Sequence, residues 1–286
     1  MNAYAAPAGG SVTASGKPMD RVRQLVVSVS LLVCIIGSMI GVGVFGGTPI
    51  AQAAGGALSS SATLLAPASP AFNIWTVIYA GLVAYAVWQW LPAQRRRARH
   101  RSLGWLVAAS MLLNAGWILS IQAGWLNFSV LVIAVLLGVL AMVFTRYVRR
   151  PADGWMDRLV VDGTLGLYLG WVCVAVCANI AAALSAAGFT GFGIPAGVWA
   201  SSVLAVVAVV GGGLAAAGRG RWAVAAAIVW GLGWMAAARV TGELESTTTA
   251  VAAGVAAGVV LGATVVVRLS SATRRERMTT NSESAG

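Results

Sequence analysis

Eight stretches of this 286-residue chain are long and apolar enough to cross a bilayer, a span that takes about 20 helical residues. They lie at about 25–46, 72–91, 103–121, 126–146, 159–184, 195–217, 222–239 and 248–268. Charge is too scarce to coat a soluble globule, at 9% of residues against roughly 25% in an average soluble domain. Hydrophobic residues make up 59%, so lipid must be the solvent for much of the surface. The fold class expected is all-α: a polytopic membrane bundle of about eight transmembrane helices.

The basic residues test that count. The net charge is +11, but the arginines gather in short clusters at the ends of apolar runs, which argues against a nucleic-acid partner. One group comprises Lys17, Arg21 and Arg23, and a second Arg95, Arg96, Arg97, Arg99 and Arg101. Further along come Arg146, Arg149, Arg150 and Arg158, then Arg219 and Arg221, then Arg268, Arg274, Arg275 and Arg277. With eight helices, 18 of the 19 basic residues fall on one side, which the positive-inside rule assigns to the cytoplasm. Both termini are then cytoplasmic, in a multi-pass protein of the plasma membrane. The exception, Arg239, has Glu243 four residues on as a helical partner. The first run, about 21 apolar residues, exceeds the 7–15 of a signal-peptide core and reads as a retained helix.

Residues 47–70 form the longest loop on the other side, uncharged and rich in Gly, Ala, Ser and Thr. Composition alone favours a flexible tether over a lid. Residues 1–18 and 270–286 read as disordered tails.

Little here suits acid–base catalysis. The one histidine, His100, sits in an arginine-rich loop, and Asp162 has Arg158 as an i, i+4 partner. Cys34, Cys173 and Cys177 lie inside apolar runs, without the histidine or carboxylate that would complete a metal site. No paired carboxylates and no nucleotide-binding loop occur, so no enzymatic activity, required cofactor or metal is expected.

Tryptophan stands out, with twelve residues. Most sit at the ends of runs, as an interfacial belt requires, but Trp117, Trp171, Trp230 and Trp234 lie deeper, where an indole N–H needs a partner. Helix direction then brings polar groups to one depth. Tyr79 lies on a run heading inward, while Asn114 and Asn179 lie on runs heading outward. All three fall roughly 8–11 Å below the outer boundary at 1.5 Å per residue. Lipid penalises an exposed Asn, so they should face the bundle interior, either as an interhelical hydrogen-bond cluster or as anchors of an aromatic pocket.

These same residues carry a family resemblance. Residues 67–91, PASPAFNIWTVIYAGLVAYAVWQWL, resemble the second helix of the tryptophan-rich sensory protein family (TspO/MBR, which includes the translocator or peripheral benzodiazepine receptor proteins), through Trp75-x-x-Ile78-Tyr79. LLNAGW resembles the family's L-N-x-x-W through Asn114 and Trp117. Tyr168-Leu-Gly-Trp171, with Asn179 eight residues on, resembles its Y-L-x-W…L-N. The resemblance covers about residues 25–185, five helices. It implies a hydrophobic small-molecule ligand, such as a tetrapyrrole (protoporphyrin or haem), in a cavity beneath the first loop. It further implies that Trp75, Tyr79, Asn114, Trp117, Trp171 and Ala175, with Asn179 beside them, line that cavity, and that the 47–70 loop is its lid.

The expected organisation is a tail to residue 24, a five-helix bundle over 25–185, a three-helix extension over 186–269 and a second tail. The extension has no counterpart in the resemblance. Its Gly254, Gly258 and Gly262 form a small-residue face suited first to internal packing and otherwise to a homodimer contact. The function expected is that of a ligand-binding, sensory membrane protein. A small-molecule transporter is the alternative, with Gly211-Gly212-Gly213 as a candidate helix break. A membrane enzyme, or its regulatory subunit, acting on an isoprenoid or porphyrin stands third.

Overall fold

The computed structural model describes residues 17–283 except 45, 47 and 51. Among these residues eight helices are long and apolar enough to cross a membrane, one for each apolar run. They are α1 (Lys17–Gly41), α2 (Ile74–Trp88), α3 (Ala98–Gln122), α4 (Leu126–Arg149), α5 (Thr164–Ala186), α6 (Ala196–Ala217), α7 (Trp222–Thr241) and α8 (Thr247–Glu283). Boundaries have local causes. A 3-10 turn, Ser69–Asn73, carries Pro70 in its first residues and leads into α2. Pro151 follows the end of α4 closely, and Pro195 stands just before α6.

Five helices close a ring: α2 packs on α1, α1 on α3, α3 on α4, α4 on α5, and α5 on α2. α7 lies against the outside of α5, and α8 packs against both α7 and α6. The α5–α7 contact is built from glycine. A Cβ on Gly166 would meet the Ala223 Cβ at 2.9 Å, and one on Gly231 would meet Val174 at 2.8 Å. Small residues of this kind let helices approach closely where lipid supplies no hydrophobic drive. The glycines singled out on α8 behave differently. Gly254, Gly258 and Gly262 are exposed, while Ala253, Ala256 and Val260 face inward, so internal packing does not use the stripe. α6 runs unbroken through Gly211–Gly213, where Gly211 admits Val260 of α8. The candidate helix break is absent.

α8 continues as a helix to Glu283, so the tail expected from residue 270 is helical as far as that. Arg274, Arg275, Glu276 and Arg277 are good helix formers, which accounts for the extension. Residues 1–16 and 284–286 of the expected tails lie outside the described residues.

At the arginine-rich end the bundle is held by buried ions. A π-helical segment, Arg158–Gly163, precedes α5. In a π-turn residues five apart share a face. Asp157 and Asp162 therefore point together at Arg99, which also donates to the Arg150 carbonyl at 2.8 Å. Asp162 pairs in addition with Arg221 at 3.1 Å, and Arg221 lies over the Tyr147 ring. The expected Arg158–Asp162 pair does not form, because the wider turn carries Arg158 away to solvent. His100 is likewise not a loop residue. It is fully buried in the first turn of α3, with Nε2 3.3 Å from Gln94 and 3.7 Å from Asp157. Nearby, Asp20 binds both Arg23 (3.1 Å) and Arg101 (2.5 Å), which ties α1 to α3.

Removing Arg99 would leave two carboxylates buried together without their shared cation. Arg99→Ala is expected to cost about 3–5 kcal/mol, against less than about 0.5 kcal/mol for the exposed Arg96→Ala. Denaturant-induced unfolding in mixed micelles measures both; equal stability of the two variants would show the network to be idle.

Candidate ligand pocket

The opposite end of the bundle gathers aromatic side chains from three helices. α2 begins there and heads for the arginine-rich end, while α3 and α5 arrive there from it. Trp75 near the start of α2, Trp117 near the end of α3 and Trp171 on α5 therefore meet at one level. Trp75 stands edge-on to Trp171 (centroids 6.2 Å apart, 83° between planes), and so does Phe72 at 5.8 Å. On α5, Trp171, Val174, Ala175 and Ala178 share one face at helical spacing, and the two alanines leave a gap facing the rings.

That gap is a recess lined by Phe72, Trp75, Trp117, Trp171, Ala175 and Asn179, among others. Its polar edge is Asn179, 1% exposed. The Asn179 Oδ1 accepts from the Trp117 indole at 2.6 Å, and its Nδ2 donates to the Ser129 hydroxyl at 3.0 Å, which joins α3, α4 and α5. Two polar atoms here are buried without a partner among the described residues, the Trp171 Nε1 and the Asn114 Oδ1. Each such orphan costs about 1–3 kcal/mol. The free space is about 30 Å³, enough for about one water molecule.

A roof closes the recess. Ala57, Leu58, Ala66 and Pro67 line it from above, with Leu58, Leu65 and Ala66 buried. This segment is a packed cover rather than the tether its composition favours. α7 holds it in place. Arg239, 1% exposed, donates to the Ser60 and Thr63 carbonyls of the roof, the latter at 3.1 Å. The Ala68 N–H donates to the Trp234 carbonyl at 3.1 Å, and the Trp230 indole donates to the Ala71 carbonyl at 2.9 Å. The expected partner of Arg239, Glu243, forms no ion pair with it. A guanidinium buried beside a loop takes the loop's carbonyls, whereas Glu243 lies beyond the end of α7.

Of the seven residues singled out in the sequence, Trp75, Trp117, Trp171, Ala175 and Asn179 line the recess. Tyr79 and Asn114 form a floor one layer further in. Tyr79 stacks on Trp75 at 5.3 Å, and its hydroxyl accepts from the Asn114 Nδ2 at 2.9 Å, which also faces the Cys34 sulfur at 3.4 Å. Tyr168 abuts Trp75 edge-on and donates to the Ser110 carbonyl at 3.0 Å. The two readings of the polar level thus coexist, as an interhelical hydrogen-bond cluster beside an aromatic recess. Sequence reasoning missed Met235 of α7, which completes the wall, and the anchoring role of Arg239. The only hint of the latter was an arginine standing alone on the wrong side.

A family model described as TSPO-like protein matches residues 25–266, through the three helices for which the sequence resemblance found no counterpart. No curated protein and no solved structure matches the chain. The match runs from within α1 to within α8 and takes in α7, the helix that completes and anchors the recess. The chain is a multi-pass membrane protein and belongs to the TSPO-like protein family.

Proposed function

We propose that this protein binds a flat hydrophobic molecule of the tetrapyrrole class in the recess under residues 57–67, and that its role is binding or sensing rather than catalysis. One observation carries the proposal: three tryptophans from three helices surround a gap left by Ala175 and Ala178, where the Trp171 indole N–H has no partner among the described residues. Aromatic walls with a few polar anchors are what a planar apolar ligand selects. The lining includes neither carboxylate nor histidine, so it has no acid–base pair to offer a reaction. The donor set also bears on the choice of ligand. Met235 offers a thioether, but no imidazole or thiolate lines the recess, so a metal-free porphyrin fits better than haem held through its iron. We place the arginine-rich end in the cytoplasm of the cell and the recess in the outer leaflet of the plasma membrane, by the positive-inside rule.

The closed recess of about 30 Å³ is far below the roughly 300–1,000 Å³ of ordinary ligand sites. Binding therefore requires the roof to lift, and the bonds from Arg239 to Ser60 and Thr63 oppose that motion.

Protoporphyrin is expected to quench the tryptophan fluorescence of the purified protein saturably. Trp171→Ala/Asn114→Ala should weaken that binding about tenfold or more; unsaturable quenching, or equal quenching in the double variant, would count against the pocket. Arg239→Ala frees the roof from two charge-assisted bonds, so stopped-flow association of protoporphyrin should accelerate about tenfold or more. An unchanged association rate in a variant of normal helix content would show that the roof does not gate the recess.

A further inference from the structure

A second recess opens at the arginine-rich end, between the five-helix ring and the outer three helices. Its volume is about 690 Å³, within the roughly 300–1,000 Å³ of small-molecule sites. Five arginines reach it from four elements: Arg149 from the end of α4, Arg158 from the π-turn, Arg219 and Arg221 from the α6–α7 turn, and Arg268 from α8. One carboxylate faces them, Asp162, and it is already shared between Arg99 and Arg221.

A one-sided distribution of arginine is what membrane topology asks of any such chain, so clustering alone decides nothing. The partners decide. Elsewhere at this end Arg97 holds Asp153, Arg101 holds Asp20, and Arg146 and Arg150 donate to the Ser102 and Ala98 carbonyls. Arg149, Arg158, Arg219 and Arg268 hold no carboxylate and no carbonyl among the described residues. Arg219 is also fixed in place at some cost. It sits at φ +55°, between Gly218, whose Cβ would meet Phe144 at 2.8 Å, and Gly220, whose Cβ would meet the Arg268 backbone at 2.9 Å. A left-handed non-glycine residue in so tight a turn is a strained position that the surrounding packing maintains.

From this geometry we infer that the recess binds the headgroup of an anionic phospholipid. Unpaired guanidinium groups present donors that match phosphate oxygens bidentately. Basic pockets between membrane helices are suited to anionic headgroups. A lipid is favoured over a free anion by what borders the recess. Trp155 is 71% exposed, Trp222 48% and Leu159 61%, an indole-and-aliphatic rim of the kind that sits at the bilayer boundary. The headgroup lies among the arginines and the acyl chains run past Leu159 and Trp222. Seated there, the lipid bridges α4 and α5 to the α6–α7 turn and α8.

Full-length protein in nanodiscs of equal dioleoylphosphatidylglycerol and dioleoylphosphatidylcholine, released and examined by native mass spectrometry, tests this. The wild-type chain is expected to retain phosphatidylglycerol in preference. Arg158→Ala/Arg219→Ala should weaken that retention roughly 30-fold, for two surface arginines. Arg21→Ala/Arg96→Ala, which removes the same charge from the same end outside the recess, should leave it unchanged. Equal loss in both variants, or equal retention of the two lipids by the wild type, overturns the inference. So does displacement of phosphatidylglycerol by millimolar inorganic phosphate, which would make the recess a site for the free anion. A second arm keeps every arginine. Brominated phosphatidylglycerol should quench wild-type tryptophan more than brominated phosphatidylcholine does, and Trp155→Phe/Trp222→Phe should abolish the excess; an excess that survives places the lipid elsewhere.

Discussion

The contact between α5 and α7 leaves no room for a side chain at its centre, and the recess depends on that closeness. Gly166 and Gly170 on one helix, and Gly231 on the other, let the backbones approach until a methyl group would collide. In lipid there is no hydrophobic gain from bringing two apolar helices together, so close packing is what holds the pair. One consequence follows along α7. Once its first half is seated against Gly166 and Gly170, its second half runs past the end of the ring where Trp171 and Ala175 lie. Met235 then closes the wall, and Trp234 and Arg239 meet the loop above it. α5 belongs to the ring and to the outer layer at once, which makes it the element that relates the roof to the aromatic walls.

The two ends of the bundle solve the same problem in opposite ways. At the arginine-rich end, charge is drawn inside and neutralised, with Arg99 gripped by two aspartates that a π-turn aligns. Around the recess at the other end the polar groups are neutral amides, indoles and hydroxyls, joined in short interhelical bonds such as Trp117 to Asn179, and the buried guanidinium of Arg239 above them takes roof carbonyls in place of a carboxylate. Neutral groups cost less to bury than ions. Among the described residues orphan polar atoms occur at both ends, on Gln89 and His100 at the first and on Trp171 and Asn114 at the second, but the buried ions of the first end are held in pairs, because a buried ion left without a partner would cost far more.

The eight helices were legible because each is a long apolar run, a signal that depends on composition and not on neighbours. Trp117, Trp171 and Asn179 were legible for a different reason, since position along their runs fixed their depth, whereas Trp75 and Ala175 were legible only through the family resemblance, which carries them by motif. Residues whose role is a choice among partners were not legible. Asp162 has an arginine four residues before it, and an α-helix would have joined them; the π-turn chose Arg99 and Arg221 instead. Arg239 has a glutamate four residues after it, yet the loop between α1 and α2 supplies its acceptors from a distance of some 176 residues in sequence. His100 sits among arginines in the chain but inside the bundle in space. Nothing local distinguishes such alternatives, because the deciding energy is desolvation and only the assembled bundle sets it.

The roof is the place where these arguments meet. Its sequence is that of a tether, with no charge and few large side chains, so it contributes little to its own folding. Its order is borrowed from α7 through a handful of main-chain hydrogen bonds, three of which use an indole or a guanidinium as donor. Bonds of this sort contribute on the order of 1–3 kcal/mol each, whereas separating α5 from α7 would forfeit an entire close-packed interface. The softest motion available at this end is therefore the roof leaving α7, with the aromatic walls staying where the glycine contact put them. A cover that can lift from a rigid aromatic frame is the mechanical condition for admitting a ligand into a recess that has no room for one when closed.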